Sequence, residues 1–282
     1  MIKGLRNHLL VVVTLLVLWQ AMYLLVGDLA LRSPLTTLQE TLALLRSDNV
    51  AAHLRETLTA FATALAIAVA LGISIGFGLG MNRLAGEIGE PVLVSFYSLP
   101  KITLYPIVLL IFGIGMPSKV AFGALHGIMP IAIFTLGALR NVPPVFVRTS
   151  KAMRLDWWQS ARLVLFPAAR AEIFTGLRLG FSLTLIGTLL GEMFASQRGV
   201  GFLLMQAIGL HDTDLIMALT TLIVFFAVLA SIAARFLMIG HKDGPGLAPG
   251  ARGTRSHRGD HRADRYLPAA LVAPVRNPDM PA

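Results

Sequence analysis

The sequence contains no cysteine, and only 14% of its 282 residues are charged. Without cysteine the chain cannot form a disulfide, a thiolate metal site or a cysteine nucleophile. Soluble proteins have roughly 25% charged residues, whereas 55% of this sequence is hydrophobic. The composition therefore indicates an integral membrane protein.

The sequence also lacks the common catalytic signatures. It has no GxxxxGK[ST] phosphate loop, so the chain cannot hydrolyse ATP by that route, and it has neither HExxH nor GxSxG. No group of Asp, Glu and His shows the spacing of metal ligands. We expect no enzymatic activity, no catalytic residue, no metal site and no cofactor of its own.

What the sequence does contain is long apolar stretches separated by basic segments. We predict an all-α polytopic membrane protein with six transmembrane helices, at about residues 9–26, 58–81, 91–115, 120–139, 173–195 and 215–234. The first stretch could instead be a signal peptide, but no small-residue cleavage site follows it directly.

The distribution of positive charge predicts the orientation. Of the 24 Lys and Arg, the predicted outer segments hold five, which are Arg32, Arg46, Arg55, Lys119 and Arg198. Positive residues collect on the cytoplasmic side of membrane proteins. We therefore expect a multi-pass membrane protein with both termini in the cytoplasm, and we explain the net charge of +9 without a nucleic-acid partner.

Three segments flank or divide this membrane region. Residues 1–56 are predicted to hold the first span and an outer helix that begins at Ser33 and Pro34, an N-cap residue followed by proline. Residues 57–240 form the predicted core. Residues 241–282 are rich in Gly, Pro and Arg, which predicts a disordered basic cytoplasmic tail near membrane lipid.

The second span carries a small residue at every fourth position. These residues are Ala60, Ala64, Ala68, Gly72, Gly76 and Gly80. Such a stripe allows two helices to approach closely in lipid, where small side chains dominate helix interfaces. It predicts a tightly packed bundle, whatever the function of that bundle is.

The third and fourth spans contain polar residues whose role the sequence leaves open. Pro100 and Pro106 interrupt the third span and free backbone carbonyls that protein or water must satisfy. Lys101 either bonds to such carbonyls or lines a pathway, because a charge at this depth faces protein or water. His126 is either a hydrogen-bonded structural residue or a proton relay.

Residues 141–172 form a basic loop that is too long for a simple turn between spans. Pro143 and Pro144 favour a helix start, and Asp156 followed by Gln159 reads as a capping box that opens a second short helix. We expect Pro167 to close that helix. Two short helices on a cytoplasmic loop suggest a docking surface for a soluble partner.

This loop resembles the cytoplasmic signature loop of permease subunits of binding-protein-dependent ABC importers. The resemblance lies in Lys151-Ala152, Trp158-Gln159, Arg162 and the segment 165–169, with the Trp-to-Pro spacing of the family. Segments 98–115 and 191–215 look like the nitrate/sulfonate/taurine branch. The loop departs from the pattern at two positions, because Arg148 stands for the leading Glu and Arg154 for a Gly.

The resemblance implies a type I ABC importer permease fold, a location in the bacterial inner membrane and the partners of that family. These are a cytoplasmic ABC ATPase dimer that binds the ATP, a periplasmic or lipid-anchored substrate-binding protein, and a second copy of this chain. It implies alternating access for a small solute, which we expect to be anionic. The competing hypothesis is a secondary transporter driven by an ion gradient, but the sequence shows no internal repeat and only Glu192 as an acid inside a span.

Two sets of candidate site residues follow. The predicted ATPase-coupling residues are Arg148, Lys151, Ala152, Arg154, Leu155, Asp156, Trp157, Trp158, Gln159, Arg162 and Pro167. The predicted translocation-pathway residues are Ser98, Pro100, Lys101 and Glu192. For Trp158 an alternative is a place in the lipid interface instead of an ATPase contact.

Overall fold

A computed structural model describes residues 2–27 and 31–239 of the chain, and these ranges contain helices but no strand. The predicted tail at 241–282 lies outside the described residues. The helices of the first half are α1 (Ile2–Val26), α2 (Pro34–Leu45), α3 (Asp48–Gly80), α4 (Arg83–Ser98) and α5 (Tyr105–Phe112). Those of the second half are α6 (Met116–Arg140), α7 (Pro144–Ala152), α8 (Trp157–Ser160), α9 (Phe166–Ala195), α10 (Val200–Gly209) and α11 (Thr213–Ile239).

The core is a three-helix unit made of α3, α6 and α9. The small residues of α3 meet α6 in the same chain direction, so that Gly72 faces Ile131 and Gly76 faces Thr135. α9 runs the opposite way, and its Gly176 faces Phe134 of α6. The predicted stripe is confirmed as a packing surface, because five of its six residues are buried and helix backbones approach closely there.

The predicted count of six spans is not fully confirmed among the described helices. Four helical stretches are long and apolar enough to cross a membrane: Asp48–Gly80, Met116–Arg140, Trp158–Phe194 and Thr213–Ile232. A fifth span is present if a bent pair is counted as one crossing. This pair consists of α4 and the segment Lys101–Phe112, in which a 3₁₀ turn at Lys101–Leu104 leads into α5. The predicted first span lies in α1, which is helical over Ile2–Val26 and contains the apolar stretch Leu10–Val26. The helical type I fold class does not depend on that count.

The third predicted span is broken instead of straight. α4 and the Lys101–Phe112 segment meet at an angle of 86°. Leu99 ends α4 in an extended conformation, because Pro100 disfavours helical geometry in the residue before it and has no N–H to continue the helix. The short loop predicted at 82–90 is also wrong, since Asn82 caps α4 through Leu84 N at 3.0 Å.

The outer loop predicted at 117–119 is likewise wrong. α6 already begins at Met116, and the turn lies earlier, at Gly113 and Gly115, which both have positive φ. Glycine adopts this conformation at little steric cost. Lys119 is therefore part of a helix, where its side chain is 1% exposed.

α2, α10 and α11 pack around the end of the core at which α3 begins. The predicted N-cap of α2 is confirmed, since Ser33 Oγ accepts from Thr36 N at 3.2 Å. α2 packs on α11, with Thr41 donating to Ala218 O at 3.3 Å. Leu38 and Leu42 are about half exposed, whereas Leu44 packs against the apolar cluster of Val50 and Leu219. Thus the buried face of α2 is built on Thr37, Thr41 and Leu44, and most of its leucines face the surroundings.

Candidate functional site: the basic loop, the helix break and a buried ion cluster

The basic loop folds as two helical segments joined by a tight turn. α7 starts at Pro144 as predicted. The predicted capping box is confirmed in both directions: Asp156 N donates to Gln159 Oε1 at 3.1 Å, and Gln159 N donates to Asp156 Oδ1 at 2.6 Å. This reciprocal capping satisfies two backbone donors at the start of α8. The turn between the helices is thereby held on both sides.

The turn after α7 has the hydrogen bonds of a Schellman motif. Arg154 N donates to Lys151 O at 3.0 Å and Leu155 N donates to Ser150 O at 3.1 Å. The residue that follows the C-cap of such a motif takes a left-handed conformation and is usually glycine. Here it is Arg154, with φ of 52°. The departure from the family pattern at this position is therefore a non-glycine residue that keeps the glycine geometry.

Pro167 does not close the second helix, contrary to our prediction. The chain continues from α8 through a π-helical turn at Ala161–Leu165 directly into α9. Phe166 N donates to Ala161 O, five residues back. The wider turn brings Pro167 into the second position of α9, where a residue without N–H is tolerated.

The structure brings the predicted coupling residues together on one exposed segment. Arg148, Lys151, Ala152, Arg154, Asp156, Gln159, Arg162 and Pro167 are exposed, and Trp158 is 58% exposed. Leu155 is half-buried, and the side chain of Trp157 lies outside the described part. No member of the set forms an ion pair between residues that the structure describes. The surface is thus strongly basic and available for contacts.

The helix break collects three of the four predicted pathway residues. Lys101 Nζ donates to Tyr97 O at 2.9 Å and lies 4.9 Å from the centre of the Tyr97 ring. Ser98 Oγ donates to Val94 O at 2.9 Å, and both Ser98 and Pro100 are exposed. Lys101 therefore donates a hydrogen bond to a backbone carbonyl that has no amide donor at the end of α4. Of the two alternatives for Lys101, this is the bond to a freed carbonyl.

Glu192 lies in a different place and is fully buried near the end of α9. Its carboxylate accepts from Thr57 Oγ1 at 2.8 Å and from Gly201 N at 3.1 Å. Lys119 Nζ lies 3.6 Å from Glu192 Oε1 and 3.0 Å from Glu56 Oε1. We call these residues, Glu56, Thr57, Lys119, Glu192 and Ser196, the Lys119–Glu192 cluster. It joins α3, α6, α9 and the segment that leads into α10.

The Lys119–Glu192 cluster also fixes the start of α10. Thr57 Oγ1 accepts from Val200 N at 2.9 Å while it donates to Glu192. Lys119 Nζ donates to Arg198 O at 3.0 Å. A carboxylate at a helix N-terminus satisfies free N–H groups and is favoured by the helix dipole. A Cβ on Gly199 would overlap the Glu192 carboxyl group, so only glycine permits this approach.

Sequence reasoning missed Lys119, Glu56 and Thr57 because they are far apart along the chain. The available signal was the pair of glycines at 199 and 201 after a lone acid, which is too weak to identify a partner. His126 forms a hydrogen bond within its own helix, with Nδ1 2.9 Å from Phe122 O. This geometry fits a structural histidine, the first of the two roles considered for it.

Comparison with known proteins decides the family. The model of the family "Binding-protein-dependent transport system inner membrane component" matches residues 68–239, more than half of the chain. The chain belongs to this family. Members of the family are membrane components of transport systems and not enzymes.

The curated relatives of this family member include several named permeases. It is 36% identical over 154 residues to the riboflavin transport system permease protein RibX of Chloroflexus aurantiacus, covering 52% of this chain and 57% of the relative. It is 28% identical to the taurine transport system permease protein TauC of Escherichia coli, covering 52% and 54%. The chain spans about half the length of the curated relatives it matches.

The chain is also similar to a nitrate permease and to a solved transporter structure. The nitrate import permease protein NrtB of Synechocystis is 27% identical over 148 residues, covering 52% of this chain and 53% of the relative. The chain also matches a structure of inward-facing conformations of the MetNI methionine ABC transporter, with a TM-score of 0.58 and 20% identity over 66% of this chain and 92% of that chain. At this identity the match supports the fold, a type I ABC permease, and not the substrate.

Proposed function

We propose that the chain is the membrane-spanning permease subunit of an ATP-driven importer for a small solute. The observation that carries the proposal is the exposed basic loop, whose Schellman turn and capping box form a rigid unit on a chain of this transport family. The chain has no phosphate loop of its own, so a separate ATPase must supply the energy.

The loop is the proposed contact for that ATPase. The turn after α7 is held by the Schellman hydrogen bonds and the capping box, and α8 continues through the π turn into α9, one of the three core helices. A push on this loop is therefore transmitted to α9 as a movement of a stiff element instead of being absorbed by a flexible connection. The full assembly we propose contains two copies of this chain, two ATPase subunits and a substrate-binding protein on the other side of the membrane.

The proposed pathway runs past the break between α4 and α5. A broken helix is tolerated at membrane depth where other protein or a water-filled cavity satisfies the backbone. Ser98, Pro100 and Lys101 lie at this break and face outward from the single chain. In contrast, Glu192 has no exposed surface, and we assign it a structural role in place of the predicted pathway role.

For the substrate we propose a small anionic solute of the nitrate, sulfonate or taurine type. The relatives named for taurine and nitrate support this class, and Lys101 is a positive group at the break. A riboflavin-like solute is the second candidate, since the riboflavin permease is 36% identical to this chain.

The experiment is uptake in proteoliposomes that contain the permease, its cognate ATPase and its binding protein. We expect uptake that requires ATP and that persists when ionophores dissipate all ion gradients. Loss of uptake with ionophores at full ATP would instead establish a gradient-driven secondary transporter. Competition by taurine, nitrate, aliphatic sulfonates and riboflavin then separates the two substrate classes.

A variant of α7 tests the docking surface. Ala152→Asp places a charge on the exposed end of α7, whereas Ala51→Asp does the same on an exposed position at the start of α3. We expect Ala152→Asp to reduce the amount of ATPase that co-purifies, with normal insertion of the permease, and Ala51→Asp to leave it unchanged. Equal ATPase recovery for both variants would contradict the assignment of the loop.

A further inference from the structure

An apolar groove lies between α3 and the start of α9, at the end of the bundle that carries the basic loop. Its volume is about 650 Å³. It is lined on one side by residues of α3 and on the other by residues of α8, the π turn and α9. The lining residues that matter for the argument are Ile73, Phe77, Met81, Trp158, Arg162 and Phe166.

The walls of the groove are apolar and leave no hydrogen-bonding group of α3 unsatisfied. Phe77 and Phe166 stack with their ring centres 6.3 Å apart. Ser74 is the polar residue of the α3 wall, and its hydroxyl donates to Ala70 O at 2.7 Å within the same helix. Nothing lies within 4 Å of a Cβ built on Gly78, so the groove is open along α3.

The mouth of the groove carries a positive charge. Arg162 is exposed, and it forms neither a hydrogen bond nor an ion pair with any residue in the described ranges. Asp156, an acid of the same loop, is engaged in the capping box with Gln159. Trp158 lies beside Arg162 in the lining. Tryptophan beside arginine at the end of an apolar surface is the arrangement found at the boundary between hydrocarbon and lipid headgroups.

We propose that this groove binds an anionic phospholipid of the cytoplasmic leaflet. Arg162 holds the phosphate, Trp158 lies at the level of the headgroup, and an acyl chain follows Ile73, Phe77 and Met81. The charge selects the lipid, because a basic residue at the membrane surface attracts anionic headgroups and a neutral lipid gains nothing from it. The proposal moves Trp158 and Arg162 from the predicted ATPase-coupling residues to lipid, and it leaves the ATPase contact to α7 and the turn that follows it.

The test uses Trp158 as a fluorescent probe of its own surroundings. The chain has three tryptophans, so the double variant Trp19→Phe/Trp157→Phe leaves Trp158 alone. The full-length protein is placed in nanodiscs of phosphatidylcholine that contain a small fraction of brominated lipid, either phosphatidylglycerol or phosphatidylcholine. We expect brominated phosphatidylglycerol to compete roughly five-fold more strongly for the site, the preference that one basic residue gives.

Two further variants separate the headgroup from the acyl chain. Arg162→Gln should bring the ratio of the two quenching affinities to about one. Arg148→Gln, which removes an exposed arginine of α7 outside the groove, is the matched control and should leave the ratio unchanged. Gly78→Leu adds a large side chain to the groove wall at a position where a Cβ meets nothing within 4 Å, and it should reduce quenching by both lipids.

Two results would overturn the proposal. Equal quenching by both brominated lipids in the protein with Arg162 intact would show an ordinary lipid-facing surface without headgroup selection. Absence of quenching by either lipid in this sample, which contains no ATPase, would show that the second copy of the chain covers the groove.

Discussion

Lys119 and Glu192 illustrate how charged side chains are kept inside a membrane protein. Their side chains are 1% and 0% exposed, and an isolated charge at such a position is strongly unfavourable. Lys119 Nζ satisfies its donors with Glu56, Ser196 and Arg198 O, and Glu192 satisfies its acceptors with Thr57 and Gly201. The cluster is stable only as a set, because removal of one member leaves another unpaired.

This interdependence predicts a non-additive response to mutation. Lys119→Met leaves two carboxylates facing each other and should destabilise the protein by about 3 kcal/mol or more. Glu192→Gln should cost less, since Lys119 keeps Glu56 as a partner. The double variant Lys119→Met/Glu192→Gln should be more stable than Lys119→Met alone in thermal denaturation in detergent. Strictly additive melting shifts would contradict the pairing.

Arg154 holds a conformation that its side chain disfavours. A left-handed backbone conformation costs a non-glycine residue roughly 1–2 kcal/mol of stability, and glycine avoids this cost. Glycine in turn loses about 0.5–1 kcal/mol because it has more conformational freedom in the unfolded chain. Arg154→Gly should therefore stabilise the protein by roughly 0.5–1 kcal/mol, seen as a higher melting temperature.

The neighbouring residue provides the control for that prediction. Met153 is exposed and has an ordinary φ of −78°, so Met153→Gly should lower the melting temperature. A fall in stability for both glycine variants would show that Arg154 makes favourable contacts that outweigh its backbone conformation.

At the scale of the helices, stability comes from backbone proximity and not from large side chains. The interfaces of α6 with α3 and α9 are built on Gly72, Gly76, Gly123, Gly127, Gly176 and Gly180. Lipid is as apolar as a leucine side chain, so helices in a membrane gain from close packing more than from hydrophobic burial. A single methyl group at such a position separates two helices.

Two glycines of α3, two residues apart, test this difference. A Cβ on Gly76 would lie 2.5 Å from Thr135 Cβ and 2.7 Å from Ala132 O, whereas a Cβ on Gly78 meets nothing within 4 Å. Gly76→Ala should destabilise the protein by about 1–3 kcal/mol. Gly78→Ala should be neutral or stabilise α3 by up to about 1 kcal/mol. Similar melting temperatures for both variants would contradict the helix pairing.

Proline shows the limits of prediction for single elements. Pro100 and Pro167 both signal a helix end in the sequence, but only Pro100 produces one. At Pro167 a π turn and the packing of α9 on α6 keep the helix continuous. At Pro100 the chain bends by 86° instead. Local sequence gives the missing N–H, while the surrounding helices decide whether the chain bends.

For the whole molecule, the distribution of charge predicts an orientation in the membrane, and this prediction can be measured. The chain has no cysteine, so single cysteines can be introduced and labelled in intact cells with an impermeant thiol reagent. Gln197→Cys and Glu40→Cys are exposed near the predicted outer face, and Thr149→Cys and Asn7→Cys are exposed on the predicted cytoplasmic side. We expect the first two to be labelled from outside and the last two to be protected.

The same four positions resolve the count of spans. If α1 crosses the membrane, Asn7→Cys is protected while Glu40→Cys reacts. Labelling of both would show that Leu10–Val26 lies on the membrane surface, leaving five spans. Labelling of Thr149→Cys together with protection of Gln197→Cys would reverse the orientation of the core.

The sequence by itself determined the membrane class, the helical fold, the small-residue face of α3, the caps at Ser33 and Asp156, and the family resemblance of the basic loop. These features depend on composition or on residues a few positions apart, where the physical cause is local. Only the tertiary structure decided the partners of Lys119 and Glu192, the bend at Pro100, the continuity through Pro167 and the groove beside Arg162. Each of these depends on helices that are distant in the sequence, and the free energy of burying a charge or breaking a helix is set by the groups that those helices place around it.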